Sequence, residues 1–207
     1  MIAALYVQRG GSYWDLEGVD PWDEARDARQ YAGPWPVVAH PPCQRWGRYW
    51  SGGPSARVRR ELGDDGGCFA AALASVRKWG GVLEHPEASH AWRTFGLIAP
   101  MRGGGWSVAG DGIGWTCCVE QGAYGHKARK ATWLYAVRCD LPRLVARAKG
   151  DFVRINEGFH SPEERKRAIR TGACQRLSKH QRAATPHEFR DVLIAMARSV
   201  ADRREVA

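Results

Sequence analysis

Pro36-Val37-Val38-Ala39-His40-Pro41-Pro42-Cys43 and, further on, the stretch from Cys68 through Trp79 to Gly80-Gly81-Val82-Leu83-Glu84-His85-Pro86 decide the fold. Val37-Val38-Ala39 is a short apolar, β-branched run and reads as a buried strand. Two prolines cannot continue a central strand, so the chain turns and presents Cys43 just past the strand end. From Cys68 to Trp79, Phe69, Leu73 and Val76 recur at helical spacing, with Asp64-Asp65 as a cap. Gly80-Gly81 stops that helix, and Val82-Leu83-Glu84 reads as the next strand. Strand, helix, strand at these lengths is a βαβ crossover, so the two strands are expected to be parallel. In open α/β sheets, ligands bind beyond the carboxyl ends of the strands. Cys43 and Glu84 both fall there.

Outward from this unit, residues 3–7 read as a first buried strand ended by Gly10-Gly11. Residues 22–31 read as a short charged helix, broken by Gly33-Pro34. Residues 44–63 read as a basic loop with a short helix near 55–62. The glycine-rich residues 100–114 read as a loop, too irregular for a phosphate-binding fingerprint. Residues 115–120 and 132–137 read as a hairpin. Residues 139–175 form a small basic insertion containing the helix formers Glu163 to Arg167. A last helix is expected over 186–203, with Thr185 as cap and Pro186 at its first position. The whole chain, 1–207, is expected to be one domain.

The charge balance narrows the partners. There are 31 Lys+Arg against 22 Asp+Glu, a formal net charge of +9, and such an excess attracts polyanions. Arginine dominates the basic residues, and it suits phosphates and base edges better than lysine does. Several of the 10 tryptophans sit beside arginines, as in Arg45-Trp46 and Trp92-Arg93, pairs able to stack on unpaired bases. DNA or a nucleotide is therefore the expected partner. No apolar run approaches the ~18–20 residues needed to span a bilayer, and Met1 to Val7 reads as a strand rather than a signal peptide. The six cysteines contain no CxxC pair, which argues against a zinc site; with no secretory signal in view, reduced thiols in the cytoplasm are expected.

Three stretches carry chemistry. Cys43 sits on a rigid turn, with Arg45 and Arg48 near in sequence to lower its pKa; both arginines, with Gln44, are candidate nucleic-acid contacts. Glu84 ends a buried strand; a carboxylic acid opposite a thiol suits addition to a heterocycle, the thiol attacking carbon while the acid protonates or holds a ring nitrogen. Tyr124-Gly125-His126-Lys127-Ala128-Arg129-Lys130 places a basic cluster ahead of a strand, with Lys127 a nucleic-acid contact and Arg129 or Lys130 a contact to the base or a phosphate.

Together these stretches resemble the DNA cytosine-5 methyltransferases, in the reduced form carried by bacteriophages. That family has a Pro-Cys turn after a strand, here Pro42-Cys43-Gln44. It has a strand ending in a Glu-Asn-Val-like motif, here Leu83-Glu84-His85-Pro86, with His85 where the family has asparagine. It has a Tyr-Gly element leading through two arginines into a strand, here Tyr124-Gly125 to Tyr135. Ungapped, those arginines fall on Lys130 and Thr132, with Arg129 as a substitute. Its Arg-x-Leu-Thr-like stretch and Pro-x-x-Phe correspond to Arg176-Leu177-Ser178 and Pro186-His187-Glu188-Phe189. The resemblance covers about residues 36–195.

The resemblance implies a three-layer, Rossmann-like α/β fold with a mostly parallel sheet. It implies Cys43 as nucleophile on cytosine C6, Glu84 on ring N3, His85 beside the base, and a base flipped out of the duplex. It also implies S-adenosylmethionine, held by Gly10, Gly11 and Pro41, with Asp20 or Glu17, acidic residues after a strand, on the ribose. The cofactor half is shortened: Cys43 follows Gly11 by little more than one crossover of about 30 residues. That leaves room for a changed cofactor or a free nucleotide as substrate. The alternative on the same residues is a nucleic-acid-binding protein on a decayed, non-catalytic scaffold.

Overall fold

A computed structural model describes residues 1–52, 57–153, 162–171 and 177–205. Among the described residues seven strands form one sheet: β1 (Ile2–Leu5), β2 (Val19–Trp22), β3 (Val37–Ala39), β4 (Gly81–Pro86), β5 (Trp106–Val108), β6 (Trp115–Glu120) and β7 (Ala131–Val137). Their spatial order is β2-β1-β3-β4-β7-β6-β5. The helices are α1 (Cys68–Trp79), α2 (His90–Thr94), α3 (Pro162–Thr171), α4 (Lys179–Ala183) and α5 (His187–Glu205).

The crossover is present as expected. β3 and β4 pair in parallel, Ala39 beside Leu83, and α1 joins them. Asp65 caps α1 with both carboxylate oxygens, accepting from Gly67 N and Phe69 N at 2.9 Å each. Gly81 is needed where β4 starts: its φ is 114°, and a Cβ there would overlap the Val37 carbonyl.

The sheet is mixed rather than mostly parallel. β2, β1, β3 and β4 run parallel, while β4–β7, β7–β6 and β6–β5 are antiparallel. A parallel return needs a crossover of about a dozen residues or more; the link from β6 to β7 is residues 121–130, so these strands form the expected hairpin. β1 and β3 are buried on both sides, as central strands covered on both faces are. α1 and α2 cover one face through Phe69, Leu73, Val76 and Trp92, packed on Leu5, Ala39 and Leu83. α5 covers the other through Phe189, Leu193 and Ala197, packed on Ala4, Val38 and Val82. Helices on both faces of one sheet make this an α/β protein.

Several expectations need correction. Residues 22–31 are not a helix: Trp22 ends β2, and only Ala28–Gln30 makes a short helical turn, capped by Asp27. The segment has charge but no apolar stripe to bury. Pro21 lies within β2, which is tolerated because β2 is a sheet edge. Residues 57–62 form no helix, and 53–56 lie outside the described residues. β5 lies in the glycine-rich stretch read as loop; at 3 residues it shows no periodicity. At α5, Pro186 takes the cap position, its carbonyl accepting from Arg190 N at 2.9 Å. Arg176 lies outside the described residues.

Candidate functional site

The chain leaves β1 outward to β2, then crosses back to β3 on the other side of β1. That reversal is a topological switch point, and the crevice beyond its carboxyl ends is where open α/β sheets bind ligands. A cleft of about 630 Å³ opens there. Its walls are the turn after β1, the His40-Pro41-Pro42-Cys43-Gln44 turn after β3, the end of β4, Lys130 ahead of β7, and residues 180–187 from α4 to α5.

Cys43 and Glu84 both line this cleft. Cys43 is partly exposed, and its carbonyl accepts from Trp46 N and Gly47 N at 3.0 and 3.1 Å, which fixes the turn. Burial and the Glu84 charge push its thiol up; its own backbone amide and Lys130 pull the other way and lose. The cation that acts on the thiol is therefore Lys130, not the arginines expected from sequence. Arg45 instead donates from Nη1 to the Trp50 carbonyl at 3.1 Å. Arg48 is exposed, its guanidinium 5.6 Å from the Tyr49 ring centre.

Glu84 is the hub of a buried hydrogen-bond chain. Its Oε2 lies 2.9 Å from His40 Nδ1, and His40 Nε2 lies 2.9 Å from the Tyr13 hydroxyl. Its Oε1 accepts from Gln121 Nε2 at 3.1 Å, and the same amide donates to Thr132 Oγ1 at 2.9 Å. Burial alone would raise this carboxyl. The His40 hydrogen bond, with the charges of His40, Lys130 and His85, outweighs it and holds the pKa at about 2. Glu84 is thus held as an ionised acceptor at neutral pH by its own partners. Burial also pushes the Tyr13 hydroxyl up, with Glu84 adding to the effect, so it stays a neutral phenol.

His85 follows on the opposite face of β4. It lines the cleft, is 1% exposed, and packs its ring on Phe69 and Trp92. Burial pushes the imidazole down to about 4, against the pull of Glu84 and the Pro42 carbonyl. Neither ring nitrogen makes a hydrogen bond among the described residues. Lys130 donates from Nζ to the carbonyls of Ala183 and Ala184, at 3.2 and 2.8 Å, tying the 180–187 wall to the sheet. Burial lowers its pKa, while Glu84 and Cys43 support its charge.

The remaining candidates divide. Gly10, Gly11, Pro41 and Gln44 line the cleft. Gly10 has φ 63°, and a Cβ there would meet nothing within 4 Å. Asp20 does not line it: its carboxylate accepts from Arg26 Nη1 at 2.6 Å and from Trp22 Nε1 at 2.8 Å. Arg129 turns outward, 3.9 Å from Glu120 and 5.6 Å from the Phe152 ring centre. Lys127 is exposed and outside the cleft.

Sequence reading passed over Tyr13, His40 and Gln121. His40 had a usable signal: Ala39 pairs with Leu83, so His40 comes next beside Glu84. Tyr13 and Gln121 had none. Comparison with family models, with curated proteins and with solved structures finds no match to this chain.

Proposed function

We propose that this chain modifies a pyrimidine base of DNA through covalent attack by Cys43, in the manner of the cytosine-5 methyltransferases. One observation carries the reading. A thiol on a Pro-Pro turn and a buried, ionised carboxylate share one cleft at the switch point of an α/β sheet, with a lysine acting on both. The strand order supports the finer Rossmann-like description: β2-β1-β3-β4 is the start of a doubly wound parallel sheet.

In this reading the Cys43 sulfur adds to C6 of the ring, the C5=C6 electron pair shifts toward N3, and the thiol proton, held on sulfur at rest, ends on N3. The Lys130 ammonium stabilises the developing thiolate. Glu84, fixed by His40 and Gln121, accepts from the exocyclic amino group of cytosine and from the N3–H formed on addition, and gives up no proton of its own. Attack at C6 makes C5 nucleophilic.

The turn after β1 fits the cofactor implied by the resemblance at one end: Gly10 leaves open space on the cleft wall, beside Gly11 and Pro41. Those three residues would hold S-adenosylmethionine, which supplies an electrophilic methyl group when bound. Asp20 takes no part, its carboxylate being held by Arg26 and Trp22.

The test is to incubate the protein with DNA containing 5-fluorocytosine and S-adenosylmethionine. A covalent adduct at Cys43, absent from Cys43→Ser, is expected. Folded protein that forms none overturns the proposal.

A further inference from the structure

Both oxygens of the ionised Glu84 accept hydrogen bonds, Oε2 from His40 Nδ1 and Oε1 from Gln121 Nε2. His40 Nδ1 therefore carries a hydrogen, and Nε2 is the nitrogen that can gain or lose one. Nε2 faces the Tyr13 hydroxyl at 2.9 Å. With Nε2 bare, the hydroxyl donates to it. With Nε2 protonated, the nitrogen donates to the hydroxyl oxygen, and the phenol proton turns away from His40. Both states keep both contacts, and in the second Glu84 holds the imidazolium as a carboxylate holds a catalytic histidine. Only hydrogens move, so the pair can pass a proton between His40 and whatever lies against Tyr13. Tyr13, His40 and Glu84 all line the cleft. The Tyr13 turn is pinned by Arg190, whose Nη1 donates to the Ser12 carbonyl at 2.8 Å. Tyr13 is 3% exposed and nearly closed to bulk water, while the His40 side chain, at 12%, leaves the proton a way out to solvent. On a bound cytosine, C5 lies between C6, which Cys43 attacks, and C4, whose amino group Glu84 accepts from. His40 stands between the same two residues: it opens the turn that ends in Cys43 and is bonded to Glu84.

We propose that the Tyr13 hydroxyl, backed by His40, is the base that takes the hydrogen from C5 of the bound cytosine. This rests on the addition of Cys43 to C6 proposed above, which leaves a C4=C5 double bond. Water in the cleft then protonates C5, the C4=C5 pair forming the new C–H bond and leaving positive charge on the N3–C4 unit and a hydroxide behind. The original C5–H bond breaks toward Tyr13: its pair restores C4=C5, the proton goes to the hydroxyl oxygen, and the hydroxyl proton moves to His40 Nε2. His40 returns that proton to the hydroxide. Reversal of the addition carries the N3 proton back to sulfur as the C–S bond breaks. The cycle replaces the C5 hydrogen with one from water and needs no cofactor. The same removal clears the C5 hydrogen once a methyl group sits there. Tyr13 is the catalytic residue of this step, and His40 is a positioning residue that acts through it.

The test follows tritium released to water from DNA carrying cytosine tritiated at C5, with no S-adenosylmethionine present. Wild type is expected to release it and Cys43→Ser to release none. Tyr13→Phe, which keeps the ring, is expected to slow release about a hundredfold, the worth of general acid–base catalysis. His40→Asn keeps an amide toward Glu84 but has no group in place of Nε2. It should be slowed as far, and the double variant no further than either, because the two residues act on one path. Losses that multiply in the double variant mark two separate structural effects and overturn the proposal. Release by Tyr13→Phe within about threefold of wild type overturns it too. Release that needs Cys43 and Tyr13, with no adduct on 5-fluorocytosine DNA, keeps the relay and removes methyl transfer. An adduct without release removes the relay and leaves the function proposed above. Folded wild type that gives neither removes both.

Discussion

The turn that follows β3 and the turn that precedes β7 are both basic, and only the second brings a cation to the Cys43 thiol. Arg45 and Arg48 are close to Cys43 in sequence, yet one reaches a carbonyl of its own loop and the other lies by Tyr49. Lys130 is remote in sequence but stands at the end of a strand hydrogen-bonded to β4, the strand of Glu84. Its neighbour Arg129 leaves in the other direction, toward Glu120. Sequence distance is thus a poor guide to which charge reaches a site; the pairing of strands and the direction of side chains at their ends decide it.

The comparison can be broken at its hub first. Glu84→Ala leaves His40 and Gln121 facing a buried gap and should cost about 3 kcal/mol at pH 7, read by urea unfolding. Its contribution has a defined pH window. The carboxyl sits at about 2 in the fold against an ordinary 4.5, so its stabilisation is full above 4.5 and is lost as pH falls toward 2. The gap between wild type and Glu84→Ala should therefore close over that window.

His85 acts in an earlier window. Its imidazole sits at about 4 in the fold against 6.5 ordinarily, so below pH 6.5 the unfolded chain takes a proton that the fold refuses. Stability should fall as pH drops from 6.5 to about 4, on the order of 1–3 kcal/mol. In His85→Asn that slope should shrink in thermal melts taken across the same range, leaving the part due to His126, whose imidazole burial also lowers.

Next comes the contrast between the turns. Lys130→Met should slow Cys43 adduct formation about tenfold, the effect of one nearby charge on a developing thiolate. Arg45→Met and Arg48→Met should each stay within about twofold in the same assay. An arginine effect as large as the lysine effect would erase the distinction. Smallest of all, Asp20→Asn should leave the adduct rate within about twofold, since its carboxylate is occupied at the sheet edge.

What the sequence disclosed follows from how local each signal was. The β3–α1–β4 unit was legible because Phe69, Leu73 and Val76 carry a helical period and Gly80-Gly81 ends it. Cys43 and Glu84 were placed at one sheet edge by the same unit. β2 was not legible, because an edge strand of four residues holding Pro21 breaks the usual strand pattern. The antiparallel pairing of β7 with β4 was hidden as well, since nothing local states which strand a hairpin docks against. The partners of Glu84 were hidden for a related reason: Tyr13, His40 and Gln121 meet only through register and turns far apart in the chain.

The most direct measurement is the pH dependence of Cys43 alkylation, followed by mass spectrometry of the modified peptide in wild type, Glu84→Gln, Lys130→Met and Arg45→Met. A shared electrostatic site predicts a wild-type thiol above the ordinary cysteine value, lowered in Glu84→Gln, raised further in Lys130→Met and unmoved in Arg45→Met. A Cys43 titration that ignores Glu84→Gln in folded protein would contradict it.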